Sequence, residues 1–199
     1  MLFQPFRAEP TRGMRLERGR IYLRPAKTSD WHAWAALRGE SRAFLSPWEP
    51  TWSHDSLTRG AFQRRLRSYK SEMRQGIGYS FLIFRRADDL MLGGITLSNL
   101  RRGVSQAGTL GYWIGEAHSR QGYMTEALAA LLEFAFGRLG LHRVEAACLP
   151  GNTASRRLLE RAGFREEGYA RQYLRIDGRW QDHVLFGLLR EDFLAADGD

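Results

Sequence analysis

The sequence predicts a mixed α/β fold in which helices flank a central, mostly antiparallel sheet. Segments 79–85, 90–99 and 108–114 have strand character and are joined by short turns, which is typical of an antiparallel meander. A helix over about 122–139 separates the last of these from a strand at 143–149. Because a helix usually connects the two strands of a parallel pair, we expect one parallel crossover in the sheet.

Length and composition indicate one domain. The chain has 199 residues, of which 43% are hydrophobic, and it contains six Trp and eleven Phe, which excludes a wholly disordered protein. We expect an N-terminal arm at 1–19, a domain at 20–192 and a C-terminal tail at 193–199. No apolar run approaches the ~20 residues that span a bilayer. The N-terminus has no apolar signal-peptide core and Cys148 is the only cysteine, so we expect a cytoplasmic protein.

The net charge of +8 and the pI near 10.2 indicate anionic partners, such as a phosphate-bearing cofactor, RNA or both. The arginines concentrate at 64–67, 85–86 and 101–102 rather than in one tail. The 64–67 cluster has two interpretations: a solvated helical face, or a patch that faces ribosomal RNA.

The N-terminal half alternates strands and helices. Residues 20–25 form the first predicted strand, and Asp30 is a suitable N-cap for a helix over 31–38. A second helix is predicted over 57–75, and Gly76 follows where a helix commonly ends.

Between these two helices, residues 44–52 are rich in proline and aromatic side chains and cannot form a long helix. The segment is either a packed loop that closes the core, or a wall for an acceptor substrate lined by Trp48, Glu49 and Trp52.

The C-terminal part of the chain continues the pattern. A helix is predicted over 153–162, with Gly163 at its end. The last two strands, 164–173 and 180–189, form a hairpin through a turn at 176–178, whose Asp-Gly pair is a strong turn signal.

The junction between the strand at 108–114 and the helix that opens near Gly122 has the features of an anion site. The first N–H groups of a helix lack partners and carry partial positive charge, so they can hold a pyrophosphate. Gly122 permits close approach of the backbone, and Arg120 adds a charged donor. The junction has neither GxGxxG nor the Lys-Ser/Thr ending of a P-loop.

The Arg120-Gln121-Gly122 turn resembles the acetyl-CoA loop of the GCN5-related N-acetyltransferases (GNAT family), Gln/Arg-x-x-Gly-x-Gly/Ala, although Ser119 and Met124 depart from its first and last positions. Motifs in the second half extend the resemblance to the RimJ/RimL-type ribosomal-protein-alanine acetyltransferases over about residues 18–192. These motifs are Leu141-His142-Arg143-Val144-Glu145, Pro150-x-Asn152-x-x-Ser155, Leu158-Leu159-Glu160-x-x-Gly163-Phe164, Glu167-Gly168-Tyr169-Ala170, Ile176-Asp177-Gly178-x-Trp180 and Asp182-His183.

The resemblance implies acetyl-CoA as the co-substrate and a GNAT fold, with the sheet splayed between the parallel strands of Thr109 and Val144. The backbone of the first of these strands would polarise the thioester carbonyl. The expected cofactor-binding residues are Trp113, Ile114, Gly115, Arg120, Gln121, Gly122, Tyr123, Met124, Thr125, Asn152 and Ser155.

Asn152 and Ser155 each have two roles open to them. Asn152 can cap the helix that follows and can also bond the pantetheine arm, as its equivalent does in the family. Ser155 is either a weak capping partner or the hydroxyl that protonates the departing CoA thiolate. Many family members place a tyrosine seven residues after this asparagine, but that position is Leu159 here.

The general base has no single candidate. Glu145 is either a base acting through water or an ion-pair partner of an arginine. Some relatives place a catalytic glutamate at the position of Ala147, and others place one near the position of Leu174. This chain has a glutamate at neither position. Asp182 and His183 form a second candidate, because an imidazole titrates near neutrality, although a hydrogen-bonding role in the hairpin is the alternative. No His, Cys and Asp cluster has metal-ligand spacing, so no metal is expected.

The expected activity is transfer of an acetyl group from acetyl-CoA to a protein's N-terminal α-amine by direct attack, with a ribosomal protein that begins with alanine or serine as the partner. Two alternatives stay open. One is acetylation of a small amine such as an antibiotic or polyamine, and the other is a ribosome- or RNA-binding module without catalysis. The protein is expected to be a monomer or dimer, without membrane contact.

Overall fold

The computed structural model describes residues 13–196 as one eight-stranded sheet with helices on both faces. The strands are β1 Leu16–Arg18, β2 Ile21–Arg24, β3 Tyr79–Arg85, β4 Met91–Arg101, β5 Ala107–Ile114, β6 Arg143–Cys148, β7 Arg165–Ile176 and β8 Arg179–Leu189. The helices are α1 Trp31–Glu40, α2 Arg42–Leu45, α3 Arg59–Gln75, α4 Tyr123–Glu133, α5 Thr153–Arg161 and α6 Arg190–Ala196.

The strand order is β1-β2-β3-β4-β5-β6-β8-β7, and all neighbours are antiparallel except β5 and β6. The predicted mixed, mostly antiparallel sheet with one parallel crossover through α4 is therefore confirmed. None of the helices within residues 13–196 is long and apolar enough to cross a membrane.

Alternating side chains divide the strands between two hydrophobic cores. On one face, α4 and α5 bury residues such as Leu128 and Leu159 against the sheet. On the other face, α1 and α3 bury Trp34 and Phe62. Successive residues of a strand point to opposite faces, so each strand supplies both cores.

The helix that was predicted to run to about residue 139 changes geometry before its end. After α4, residues Phe134–Arg138 form a π-helical turn, in which the Leu139 N–H bonds the Phe134 carbonyl at 3.0 Å. Gly140 then adopts a positive φ of 62° and ends the element, at the position that the sequence indicates.

The predicted turns lie where the sequence places them. Gly76 ends α3 in the left-handed conformation, with φ of 67°. In the β7–β8 turn, Asp177 and Gly178 both have positive φ, 44° and 77°, as a two-residue hairpin turn of the I′ type requires.

Both ends of the described part are ordered. Within the expected arm at 1–19, β1 pairs with β2, and Met14 and Leu16 are buried in the main core, while residues 1–12 lie outside the described part. Within the expected tail at 193–199, residues 193–196 belong to α6, and Phe193 packs on Phe136 with 5.2 Å between ring centroids. One local expectation needs correction. Asp30 makes no capping bond to α1, since its carboxylate accepts from Arg24 instead.

Close contact between β4 and β5 depends on glycine. Gly94 lies opposite Trp113, and a β-carbon on Gly94 would lie 2.5 Å from the indole nitrogen. A β-carbon on Gly93 would lie 2.3 Å from the Trp113 carbonyl oxygen and 2.9 Å from the Ile114 Cα. These obstacles at Gly93 are backbone atoms, so they cannot move without displacing the strand.

We therefore expect Gly93→Ala to destabilise the protein by about 2 kcal/mol or more, because overpacking forces the two strands apart. Chemical denaturation measures the change. Gly111→Ala is the matched control, since a β-carbon there meets no atom within 4 Å. Equal stabilities for the two variants would contradict the prediction.

Candidate active site

The parallel strands β5 and β6 separate after a short paired stretch. Their register pairs run only from Ala107–Arg143 to Thr109–Glu145, whereas β5 continues to Ile114 and β6 to Cys148. Each strand stays paired with its outer neighbour along this length, β5 with β4 and β6 with β8. The result is a gap in the middle of the sheet, at the place where the sequence predicts the splay.

The start of α4 lies beside this gap and is shaped by two residues in the left-handed conformation. Gly122, the N-cap, has φ of 84°, and Arg120 has φ of 57°. No side chain caps the helix, and the first backbone bond runs from the Glu126 N–H to the Gly122 carbonyl at 3.2 Å. The N–H groups at this helix start remain available to an anion.

A second arginine, Arg20, which precedes β2, lies at the same helix start. Its Nη2 donates to the Gln121 carbonyl at 2.9 Å, and its Nε donates to Glu126 at 2.7 Å. Its guanidinium also lies over the Tyr123 ring, 4.6 Å from the centroid. A β-carbon on Gly122 would lie 3.2 Å from the Arg20 Nη2, so the glycine also accommodates this arginine.

Four of the expected cofactor-binding side chains pack in or against the two cores. Tyr123 and Met124 are buried in the main core, Ile114 packs against that core, and Trp113 packs on the opposite face. A β-carbon on Gly115 would lie 2.4 Å from a methyl carbon of Leu37, so a larger residue there would have to displace that side chain. Because the Tyr123 and Met124 side chains are buried, any contact of these two residues with CoA would be made by backbone atoms. Gln121 braces the loop by donating to the Ala117 carbonyl, and Thr125 is exposed on the first turn of α4.

The second helix start at the gap is that of α5, and its cap is resolved in detail. The Asn152 side-chain oxygen accepts from the Ser155 backbone N–H at 3.0 Å. The predicted capping role of Asn152 is present, and it uses the backbone rather than the hydroxyl of Ser155. The hydroxyl is left for another partner.

That partner is Tyr112 on β5, whose hydroxyl oxygen lies 2.6 Å from the Ser155 Oγ. Burial raises the pKa of Tyr112 to about 12, so the phenol stays protonated at neutral pH. The Cys148 thiol at the end of β6 lies in the same region, and burial raises its pKa as well.

Glu145 lies in an ion-pair network at the closed end of the gap. Its carboxylate contacts Arg101 at 2.5 Å and Arg143 at 3.1 Å, and Arg143 also pairs with Glu167. Gly187 lies beneath Arg143, where a β-carbon would collide with the guanidinium. This geometry favours the ion-pair interpretation of Glu145 over the role of a base.

His183 on β8 is buried, with 3% of its surface exposed. Its Nδ1 lies 3.0 Å from the Gln181 carbonyl oxygen, and its ring meets Tyr173 edge to face. Because a carbonyl can only accept, Nδ1 carries the proton in this bond, and the lone pair of the neutral ring lies on Nε2. Asp182 is engaged elsewhere, since it accepts from the Tyr169 hydroxyl and the Gln172 N–H.

The aromatic segment 44–52 is anchored by a buried arginine. Arg38 pairs with Glu49, and its guanidinium lies over the rings of Trp52 and Trp113, 4.4 and 4.8 Å from the centroids. The Trp52 indole N–H also donates to Glu49 at 2.8 Å. Since Trp113 belongs to β5, these contacts place the segment beside the gap, on the face opposite Tyr112.

The tip of the β7–β8 hairpin closes over the same segment. The Asp177 N–H donates to the Glu49 carbonyl at 2.9 Å. A β-carbon on Gly178 would lie 3.3 Å from the Thr51 Oγ1, so the turn and the segment are in close contact. Together the segment and the hairpin form a bridge on this face, which we call the acceptor bridge.

The arginine clusters are largely committed to internal contacts. Arg64 pairs with Asp55, Arg65 lies over Trp34, and Arg85 pairs with Asp88. The arginines at 101–102 also have partners within the protein: Arg101 pairs with Glu145, and Arg102 donates to the Leu139 carbonyl. These contacts favour structural roles for these arginines over an RNA-facing patch.

Three residues of the site escaped the sequence analysis. Tyr112 lies on the same face of its strand as the apolar Leu110 and Ile114, and only its hydroxyl distinguishes it from a core residue. Arg20 and Arg38 carry no local signal, because their partners are far away in the sequence.

Comparison with known proteins identifies the family. Residues 20–165 match the acetyltransferase (GNAT) domain family. The chain belongs to the GNAT family of acetyltransferases. It is 36% identical over 172 residues to the probable N-acetyltransferase YjcK of Bacillus subtilis, covering 86% of this chain and 95% of that protein.

Two further relatives of this GNAT enzyme bear ribosomal names. The ribosomal protein uS5-alanine N-acetyltransferase of Escherichia coli is 36% identical over 180 residues, covering 90% of this chain and 93% of that protein. The structure of Mycobacterium smegmatis RimJ in complex with CoA-disulfide has a TM-score of 0.82 at 31% identity, covering 92% and 93% of the two chains. The predicted resemblance to the RimJ/RimL branch and the predicted GNAT fold are confirmed, and the chain is an N-acetyltransferase.

The features of the gap fit the co-substrate that GNAT acetyltransferases use, acetyl-CoA. The free helix start and Arg120 suit its phosphates, and the splay suits its narrow pantetheine arm. Among residues 13–196, no three His, Cys, Asp or Glu side chains are grouped so as to hold a metal ion.

We expect Gly122→Asp to reduce CoA affinity by at least tenfold, because it places a negative charge beside the anion site and a β-carbon against Arg20. Isothermal titration measures the affinity, and circular dichroism reports the fold. Gly103→Asp makes the same chemical change at a positive φ of 67°, but in open space. Unchanged CoA binding in a folded Gly122→Asp protein would contradict the assignment.

The two residues at the α5 start are expected to separate stability from turnover. Asn152→Ala removes the cap and should lower the free energy of unfolding by about 1 kcal/mol. Ser155→Ala keeps the cap, because the capping donor is a backbone N–H, and should lower kcat with little change in the KM for acetyl-CoA. A Ser155→Ala protein that loses only stability would refute a role in thiolate departure.

Proposed function

We propose that this enzyme transfers the acetyl group of acetyl-CoA to the N-terminal α-amine of a protein, by direct attack of the amine on the thioester. The observation that carries the proposal is the acceptor bridge, fixed by the bond between Asp177 and Glu49 beside the open end of the gap. The name of the uS5-alanine acetyltransferase supports a ribosomal protein that begins with alanine as the substrate, and we extend the proposal to the similarly small serine.

Acetyl-CoA would bind with its pyrophosphate at the start of α4, beside Arg120 and Arg20, and with its pantetheine arm in the gap near Asn152. Backbone N–H groups on β5 beyond Thr109 would donate to the thioester oxygen as negative charge develops there. Ser155 would donate to the sulfur as the C–S bond breaks.

The acceptor bridge favours a chain end over a folded surface. It joins residues 44–52 to the β7–β8 turn, so a substrate has to enter past the aromatic side chains of this segment. A flexible N-terminus can enter such a site, whereas the folded surface around a lysine side chain would collide with the acceptor bridge. The buried pair of Arg38 and Glu49 fixes the wall in place.

An α-amine also requires little help from a base. It titrates near ~8 and lysine near ~10.4, so at pH 7 roughly a tenth of the α-amine is neutral, against well under a thousandth of the lysine. We assign the remaining proton to Nε2 of His183, because Nδ1 donates to the Gln181 carbonyl and two arginines engage the Glu145 carboxylate. We place the activity in the cytoplasm, since a buried free Cys148 suits a reducing compartment.

The test offers peptides that begin with Ala, Ser or Met, together with one N-terminally blocked peptide that carries an internal lysine. We expect acetylation at the free N-termini of the Ala and Ser peptides, mapped by mass spectrometry, and none at the internal lysine. Because the α-amine must be neutral to attack, the rate should rise with pH up to about 8.

Polyamines and aminoglycosides form the control arm for acetylation of small amines. Modification of the blocked peptide at lysine, or faster turnover with a small amine than with any peptide, would overturn the assignment of the acceptor. A Trp52→Ala variant serves as a probe of the acceptor bridge and should raise the KM for peptides more than the KM for acetyl-CoA.

A further inference from the structure

The hydroxyls of Tyr112 and Ser155 meet across the gap between β5 and β6. Tyr112 extends from β5, Ser155 from the first turn of α5, and their oxygens are 2.6 Å apart. Both side chains lie on the α4 and α5 face of the sheet. The contact therefore links the two walls between which the pantetheine arm is proposed to lie.

We propose that Tyr112 is a positioning residue that directs the Ser155 hydroxyl proton toward the sulfur of CoA. This inference rests on the proposed role of Ser155 in thiolate departure. Many family members place a tyrosine at the position of Leu159 in α5, which is apolar and buried here. Tyr112 supplies a phenolic hydroxyl from β5 instead.

The direction of the hydrogen bond follows from the chemistry of the two groups. A phenol is more acidic than an aliphatic alcohol and is the better donor, while the alcohol oxygen is the better acceptor. With Tyr112 donating to the Ser155 Oγ, the Ser155 proton cannot point back at Tyr112 and is free to donate elsewhere. Burial holds Tyr112 protonated, with its pKa raised to about 12, so the donor persists at working pH.

The start of α5 fixes Ser155, which is the other partner in this hydrogen bond. The Ser155 N–H is held by the Asn152 side chain, so the residue cannot swing away from the helix start. Tyr112 is held by the pairing of β5 with β4, opposite Ile95. Two rigid elements therefore set the position of the hydroxyl between them.

In the reaction, the amine nitrogen forms a bond to the acetyl carbon, and the C–S bond breaks with its electron pair on sulfur. Ser155 donates a hydrogen bond to that sulfur while Tyr112 donates to Ser155, so the two donors together stabilise the thiolate. Neither hydroxyl loses its proton. The proton released by the amine passes to Nε2 of His183, the acceptor proposed above, and sulfur takes a proton from water after release.

The experiment compares Tyr112→Phe, Ser155→Ala and the double variant in steady-state kinetics, with the best amine found in the acceptor screen. We expect Tyr112→Phe to lower kcat about tenfold with the KM for acetyl-CoA nearly unchanged, and Ser155→Ala to lower kcat about a hundredfold. In the Ser155→Ala background, Tyr112→Phe should have no further effect, because its action passes through Ser155.

The control is Tyr79→Phe, which removes a hydroxyl from a fully buried tyrosine of the core against which Tyr112 packs. We expect wild-type kcat for this variant. Chemical denaturation of each protein establishes that the variants compared are folded.

A second measurement does not depend on the amine. Ultraviolet titration of bound CoA reports the pKa of its thiol. Tyr112→Phe removes the group that orients and polarises the Ser155 donor, so it should raise the pKa of the thiol by about one unit. If the Tyr112–Ser155 contact only stabilised the two walls of the gap, Tyr112→Phe would leave the pKa of the CoA thiol unchanged.

Equal kcat for Tyr112→Phe and Tyr79→Phe would overturn the inference, as would a full tenfold loss that persists in the Ser155→Ala background. Wild-type kcat in Ser155→Ala would overturn the role of Ser155 and this inference together. The kinetic comparisons use whichever amine reacts, so they do not depend on the proposed acceptor. A wrong assignment of the acceptor would be detected separately, by the peptide mapping.

Discussion

The site depends on one constraint of strand pairing: β5 and β6 hydrogen bond to each other only up to Thr109 and Glu145, while each remains bonded to its outer neighbour. A gap in the middle of a sheet leaves backbone groups without strand partners, which is unfavourable unless another molecule or water satisfies them. The outer pairing keeps the two walls rigid, and Glu145 with its arginines closes the inner end. The gap is thus held open by the fold itself, and it suits a narrow ligand with polar groups along its length.

Strand alternation then divides the chemistry between the two faces. Tyr112 points to the α4 and α5 face, where Ser155 lies, and its neighbour Trp113 points to the opposite face, where Arg38 and Glu49 hold the aromatic segment. Under the proposed function, residues on one face donate to the departing sulfur, and residues on the other face bind the incoming amine. A single dipeptide in β5 contributes to both sides of the thioester, because consecutive side chains of a strand cannot share a face.

Charge in this protein is largely used for internal organisation. The arginines at 101, 102 and 143 contact carboxylates or a backbone carbonyl, so they tie the ends of β4 and β6 and the turn after α4 together. Ion pairs at such partly exposed positions contribute modestly to stability each, and their main effect is to fix register and orientation. The arginines that lie at the proposed phosphate site, Arg20 and Arg120, are distinguished by their place at a free helix start rather than by their number.

The sequence by itself determined the longer elements, the turn at Asp177 and Gly178 and the helix start at Gly122, because these follow from local rules of periodicity, capping and positive φ. It also determined the family, through the order and spacing of its motifs. Only the tertiary structure decided which side chains meet: Tyr112 with Ser155, Arg20 with Glu126, and Glu145 with two arginines. These pairs are separated by 43 or more residues, apart from Arg143 and Glu145, and no local pattern encodes such a distance. The register of β5 against β6 and the packing of two helix starts at one gap create them, and both are properties of the assembled sheet.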